Sequence, residues 1–278
     1  MKVLIHKVDL DTATVGFLLD VKESDEIIVV KDRAPVSLLM DKNTLCIEVG
    51  GSGLVEFNNF DHHDPEKYFP PAAKQAYEVI GKKDPFLQRL VEYVSCVDEG
   101  SFFMPLIPFP SLSNVFSGML IVERTPVRQL LEGIKILRQV VSCGLDPFSS
   151  MPSLPEWKLY IEAKKKNAEK LKNSLYSVQI FRSTKGLLVG FLESEAIGGI
   201  SALYGLGCEI GILFNPCYGE PAIRKFTIAS KKTKLVNLLK YFDNIEPGWG
   251  GRETIIGSPR NGTKLKIEEV IDIVLSNL

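Results

Sequence analysis

Short apolar runs alternate with segments of helical period through the first two-thirds of the chain. Lys2 to Ile5 reads as a first strand. Ala13, Gly16, Phe17 and Leu19 share one face, so Ala13 to Leu19 reads as the opening of a helix. Glu26 to Val30 is a β-branched run, and Thr44 to Val49 is another strand, closed by the breaker Gly50-Gly51-Ser52-Gly53. Pro70-Pro71 starts a helix that runs to about Ile80, since proline is tolerated in a first turn, and Phe86 to Val97 is a further amphipathic helix. Strands that alternate with helices predict βαβ units and a mostly parallel sheet.

The pattern then changes. Residues 102–118, FFMPLIPFPSLSNVFSG, hold three prolines and four phenylalanines without a clear period and read as an ordered apolar loop. Residues 126–143 are helical, 145–157 have the punctuation of a connection, and Glu156 to Ser174 is a highly charged helix. Its run Lys164-Lys165-Lys166 reads as a solvated face. From Tyr176 onward the segments SVQIF, GLLVGFL, CEIGILF and KFTIA are β-rich, and the chain ends in a helix from Ile267 to Leu278. The expected class is α/β: an N-terminal, mostly parallel sheet flanked by helices (1–150), a helical linker (151–175) and a smaller α/β C-terminal domain (176–278).

Composition narrows the function. The 278 residues, 45% hydrophobic and 24% charged, describe an ordinary soluble protein with a sizeable core. With 33 basic against 34 acidic residues the chain has no global field to draw in a polyanion, which speaks against long nucleic acid as a partner. Cys46, Cys96, Cys143, Cys208 and Cys217 are odd in number and never spaced as CxxC, so they read as buried thiols in a reducing cytoplasm. The start MKVLIHKVDLD is a poor signal peptide, and no apolar run approaches membrane-spanning length.

The chemistry concentrates where the histidines are. The chain has three, all within the first 63 residues and all beside aspartates. His6 follows the first strand in HKVDLD, where a turn lets His6, Asp9 and Asp11 converge; the same three also describe a surface turn. Asp61-His62-His63-Asp64 is a run of metal-ligand residue types. Adjacent histidines point in different directions, which favours one on a metal and one on substrate. Glu48 lies near the end of an apolar strand, where a charge is costly unless paired or ligated. Asp98 closes an apolar helix; in isolation each of these last two also fits a solvent-facing position.

In order, these elements (strand, HxxDxD, strand, carboxylate, DHH, helix, Asp) resemble the DHH phosphoesterase superfamily, which includes RecJ-like exonucleases, nano-RNases, cyclic dinucleotide phosphodiesterases and family II pyrophosphatases. The resemblance implies two divalent ions, Mn2+ or Mg2+. His6 and Asp9 would ligate the first, Asp11, His62 and Asp98 the second, and Glu48 would bridge them. It further implies that His63 contacts the scissile phosphate and that Asp61 orients His62, these two being the catalytic pair. Two departures stand out: only Lys7 and Val8 separate His6 from Asp9, one residue fewer than usual, and Glu48 replaces an Asp.

The glycine-rich segment GWGGRETIIGSP (248–259) reads either as a β-turn between strands or as backbone open to an anion. The resemblance implies a substrate-binding lobe in which Gly250, Gly251, Arg252, Gly257 and Ser258 follow a GGH-type motif, with Arg252 in place of His and Arg260 close behind. The expected function is hydrolysis of a small phosphorylated substrate, a nucleotide or short oligonucleotide, by water activated between two metals. The alternatives are a DHH-fold binding or regulatory protein with an inactive site, and an unrelated α/β metal-binding protein. The sequence leaves a homodimer open.

Overall fold

The computed structural model describes residues 1–64, 66–100 and 105–278. By internal contacts the chain divides into two compact units, Met1–Lys164 and Lys165–Leu278.

In the first unit the described strands are β1 (Lys2–Ile5), β2 (Glu26–Val29), β3 (Thr44–Ile47) and β4 (Asn59–Phe60). They form one parallel sheet in the order β2-β1-β3-β4. The central strands are apolar on both faces. Val3, Ile5, Leu45 and Ile47 join the main core, while Leu4 and Cys46 point the other way onto Leu39, Ala34 and Val49. This burial on both sides is why the strands read as continuous apolar runs rather than as alternation.

The helices of this unit are α1 (Leu10–Leu18), α2 (Val36–Leu39), α3 (Ala72–Ile80), α4 (Pro85–Asp98), α5 (Leu112–Val122) and α6 (Pro126–Ser142). Helix α1 begins at Leu10, three residues before the apolar face suggests, because Asp9 caps it by accepting from the Thr12 backbone N–H. Asp11 therefore sits inside the first turn. Small residues let α1 and α6 approach: a Cβ on Gly16 would stand 3.0 Å from Ile134 Cδ1, and one on Gly133 would stand 3.0 Å from Ala13 Cβ.

One expectation needs correction. The segment read as an apolar loop from 102 to 118 holds most of α5. Ser111 and Asn114 form a reciprocal cap, and the apolar residues after it (Leu112, Val115, Phe116, Met119) recur at helical spacing. Prolines and phenylalanines upstream obscured that start. Residues 102–104 of the segment lie outside the described residues.

Helix α7 (Lys158–Ser174) contains the point at which the units divide. Described strands of the second unit are β5 (Gln179–Arg182), β6 (Leu188–Glu193), β7 (Ile210–Tyr218), β8 (Ile223–Ser230), β9 (Gly250–Arg252) and β10 (Ile255–Gly257), in the order β5-β6-β7-β8-β10-β9. β6 and β7 are parallel, joined through α8 (Gly199–Gly205); the other pairs are antiparallel. The glycines of 198–207, to which the sequence assigns no role, bracket α8: Gly198 caps it at φ +102°, and a Cβ on Gly199 would come within 2.6 Å of Leu213. Two further helices, α9 (Leu239–Asp243) and α10 (Ile267–Asn277), cover the sheet, with Trp249 stacked on Phe242 at 3.9 Å. Among the described residues no helix is long and apolar enough to cross a membrane.

Gly118 tests the packing in the first unit. A Cβ there would fall 2.0 Å from the Tyr160 carbonyl oxygen, whereas one on Gly205 meets nothing within 4 Å. Gly118→Ala is expected to lose roughly 1–3 kcal/mol by urea unfolding, from overpacking against backbone that cannot rotate away. Gly205→Ala should stay within about 0.5 kcal/mol of wild type. Equal stability of the two variants would contradict the packing described.

Candidate functional site

The register of the parallel sheet gathers the sequence motifs at one end. Ile5 pairs with Ile47, and Ile47 with Phe60. His6, Glu48 and Asp61 are the residues that follow, so they stand in a row past the C-terminal ends of β1, β3 and β4. This is the end at which open α/β sheets place ligands.

Each residue is held differently. The His6 Nδ1–H donates to the Val30 carbonyl at 2.9 Å. A carbonyl can only accept, so that nitrogen carries the proton and Nε2 keeps its lone pair for a ligand. Asp9 caps α1 through Oδ1, which accepts from the Thr12 N–H at 2.8 Å and lies 3.0 Å from its hydroxyl oxygen. Asp11 is fully buried, and its two oxygens accept the Ala72 and Ala73 backbone N–H groups, each at 2.8 Å. It thereby caps α3, where Pro71 offers no side-chain acceptor. Burial, then the charge of Glu48, pushes the Asp11 carboxyl well above the usual range despite these bonds.

Glu48 adopts a left-handed backbone, φ +51°, at the end of its strand. Its Oε2 accepts from the Thr12 hydroxyl, and burial raises its pKa. Asp98 is the last residue of α4, half-buried, and is raised for the same reason. These carboxylates converge on one imidazole: His62 Nε2 lies 3.3 Å from Glu48 Oε1, 3.5 Å from Asp98 Oδ2 and 3.9 Å from Asp11 Oδ2. The approach to Glu48 misses hydrogen-bond geometry, so Glu48 Oε1 and His62 Nε2 are both buried without a bond. The close approach of Glu48, then the charges of Asp98 and Asp11, raises the His62 pKa to about 9.

His63 is the exposed member, 65% accessible, with Nδ1 3.8 Å from Glu48 Oε1 and its ring tilted 58° from that of His62. The two rings nonetheless lie side by side, with centroids 4.3 Å apart, and differ chiefly in exposure. Asp61 takes a part the sequence did not show. Its oxygens accept from Gly50 N–H (2.7 Å), the Ser52 hydroxyl (2.6 Å) and His63 N–H (2.7 Å), and among the described residues it makes no hydrogen bond to the His62 ring. Burial alone would raise its pKa, but these three donors together hold it below the ordinary carboxylate range. Asp61 therefore ties the glycine loop after β3 to the histidine segment.

Two overlapping groups have ligand atoms within 4.8 Å of one another: Asp11, His62 and Asp98, and Glu48, His62 and His63. Neither includes His6 or Asp9, although the charge of Asp9 is near enough to raise Asp11, Glu48 and Asp98. Among the described residues, Asp11, Glu48 and Asp98 form ion pairs with histidine and with no lysine or arginine. Converging carboxylates, an imidazole nitrogen and two buried atoms without partners form a donor set that fits a divalent cation. Thr12 and Ser52 were missed by the sequence reading. The only trace of Thr12 there is its place three residues after a capping aspartate.

In the second unit the glycine-rich segment forms a hairpin, with Gly250, Gly251 and Arg252 facing Gly257, Ile256 and Ile255. Gly251 has φ +156°, and a Cβ there would sit 2.1 Å from the Ile255 carbonyl, so only glycine fits. The Ser258 hydroxyl accepts the Phe226 N–H, which commits it to the sheet. Arg252 and Arg260 are exposed. Burial, with a smaller contribution from the charge of Arg260, lowers the pKa of Lys225.

No family model matches this chain, and no curated protein matches it by sequence. Among solved structures it is similar to a pGpG-specific phosphodiesterase, PggH, from Vibrio cholerae, at 17% identity and a TM-score of 0.58, covering 98% of this chain and 95% of that one. A second similar structure is a DHH domain described as belonging to a family of ribosomal proteins, at 12% identity and a TM-score of 0.43, covering 92% and 81%.

The Asp61 tether has a measurable consequence. Asp61→Ala leaves part-buried donors on Gly50, Ser52 and His63 without their acceptor and is expected to lower stability by roughly 1.5–3 kcal/mol, the range for hydrogen bonds to a charged group. His63→Ala, on an exposed side chain, should change it by less than about 0.5 kcal/mol. Thermal unfolding in EDTA checks both, and an Asp61→Ala variant as stable as wild type would contradict the tether.

Proposed function

We propose that the chain, whose fold is similar to that of a pGpG-specific phosphodiesterase, is a DHH-type, metal-dependent phosphohydrolase cleaving a small phosphorylated substrate. One observation carries the reading: carboxylates from three separate segments, Asp11, Glu48 and Asp98, converge within 3.9 Å on the single nitrogen His62 Nε2. A divalent cation would offset such a cluster of carboxylates held out of water, and among the described residues histidine is their only ion-pair partner.

Asp11, His62 and Asp98 would hold one ion, with Glu48 shared and with His6 and Asp9 on a second. Mn2+ or Mg2+ suits oxygen ligands with imidazole. Such ions lower the pKa of a bound water and neutralise charge on the phosphoryl oxygens. His63 is exposed beside Glu48, where its N–H can donate to a non-bridging phosphate oxygen. Asp61 fixes the backbone of His63 at 2.7 Å and so sets the direction from which that donor points. In the second unit, Gly250, Gly251 and Gly257 shape the hairpin, Ser258 anchors it, and Arg252 and Arg260 supply cations for a terminal phosphate.

The substrate class proposed is a nucleotide or very short oligonucleotide. The phosphodiesterase activity of the structural neighbour supports a diester of that size, and a net charge of −1 disfavours long nucleic acid. The five cysteines are free thiols, and only Cys46 and Cys208 are buried, not all five as the sequence suggests; a reducing cytoplasm is the compartment we propose. A second reading, a DHH-fold binding protein without turnover, is favoured by one observation: His6 and Asp9 stand outside the two convergent groups.

Metal-stripped protein given Mn2+ and then pGpG or bis-p-nitrophenyl phosphate separates the two readings. The first expects Mn2+-dependent hydrolysis. It further expects His63→Ala to retain Mn2+ while kcat falls about 10²–10³-fold, the loss seen when one oxyanion donor is removed. Arg252→Ala should raise KM and leave kcat nearly unchanged. Bound Mn2+ without turnover of any small phosphate ester would favour the second reading, and His63→Ala at full rate would refute the role given to that residue.

A further inference from the structure

We propose that Thr12 is a positioning residue, holding the Glu48 carboxylate so that Oε1 faces His62. The inference deepens the metal-dependent reading above and rests on it. Thr12 is completely buried. Its hydroxyl lies against Glu48 Oε2, with Asp9 Oδ1 at 3.0 Å and the Lys7 carbonyl at 3.3 Å. A hydroxyl has one proton to donate. Glu48 Oε2 is the nearest of these three acceptors, so the proton goes to Glu48.

The consequence lies in the other oxygen. Glu48 is one methylene longer than aspartate and hangs from a left-handed backbone, φ +51°. Unrestrained, its carboxylate has several rotamers within reach. With Oε2 fixed by a helix-borne hydroxyl, Oε1 is left 3.3 Å from His62 Nε2 and 3.8 Å from His63 Nδ1, without a hydrogen bond of its own. Thr12 also joins two motifs, since the same side chain touches Asp9 beyond β1 and Glu48 beyond β3.

Three proteins test it: wild type, Thr12→Val, which keeps the shape and loses the hydroxyl, and Thr12→Ser, which keeps the hydroxyl. Mn2+ affinity is read by the electron spin resonance of free Mn2+. Thr12→Val is expected to bind roughly 10–100-fold more weakly, the usual effect of removing a hydrogen bond behind a ligand, and Thr12→Ser to recover to within a few-fold of wild type. A metal-free readout stands beside it. In EDTA the Thr12 hydroxyl proton, identified by its absence from Thr12→Val, should be protected from solvent exchange in the NMR spectrum and should lose that protection in Glu48→Ala, with folding checked by the amide spectrum. If wild type takes up no Mn2+ while this protection holds, the metal reading falls and the Thr12–Glu48 link stands. Equal Mn2+ affinity in wild type and Thr12→Val, or protection indifferent to Glu48→Ala, overturns the assignment.

Discussion

Removing several carboxylates from water at one end of an apolar sheet is the constraint around which the first unit is organised. Asp11, Glu48, Asp61 and Asp98 come from four separate segments and share the sign of their charge. The fold answers for three of them with hydrogen bonds. Asp11 takes two amides at the start of α3, and Asp61 takes Gly50, Ser52 and His63. Glu48 takes Thr12. These bonds satisfy oxygens but do not cancel charge, and the carboxyls of Asp11, Glu48 and Asp98 remain raised by burial. The balance falls on His62, whose pKa of about 9 says that this nitrogen holds a proton tightly when nothing else occupies its lone pair. A proton and a divalent ion compete for the same position, and an ion answers the charge of all the carboxylates at once.

Much of this was legible in the sequence because it depends on local chemistry. Apolar runs buried on both faces pointed to the parallel sheet, and the histidines beside aspartates marked its C-terminal end. The bonds between segments were not legible. Asp61 looked like a partner for the adjacent His62, yet its acceptors face a glycine loop eleven residues back in the chain. That loop reads as a strand terminator in sequence, because nothing in a glycine run says whose side chain its N–H groups will meet. Thr12 was hidden for a similar reason: its contact with Glu48 spans 36 positions. Helix α5 was lost among prolines and phenylalanines, whose low helix propensity outweighed a cap at Ser111 that becomes visible only with the backbone in place.

The second unit shows how alternatives left open in sequence come together. The segment around Gly250 is a hairpin, as the structural alternative had it, and Trp249 anchors its first strand by stacking on Phe242. A hairpin requires glycine only at Gly251, where the Ile255 carbonyl leaves no room for a Cβ. The exposed positions of Arg252 and Arg260 are not needed by that geometry, which is why a binding role is proposed for them and a structural one for Ser258.

The central claim is that the carboxylates around His62 are a metal centre. Crystals grown with Mn2+ and measured at the manganese absorption edge test it most directly. The account expects an anomalous peak in contact with His62 Nε2 and oxygens of Asp11, Glu48 and Asp98, and a second near His6 and Asp9. Density maps with no anomalous signal at this cluster under saturating Mn2+, and His62 bonded directly to a carboxylate instead, would contradict it.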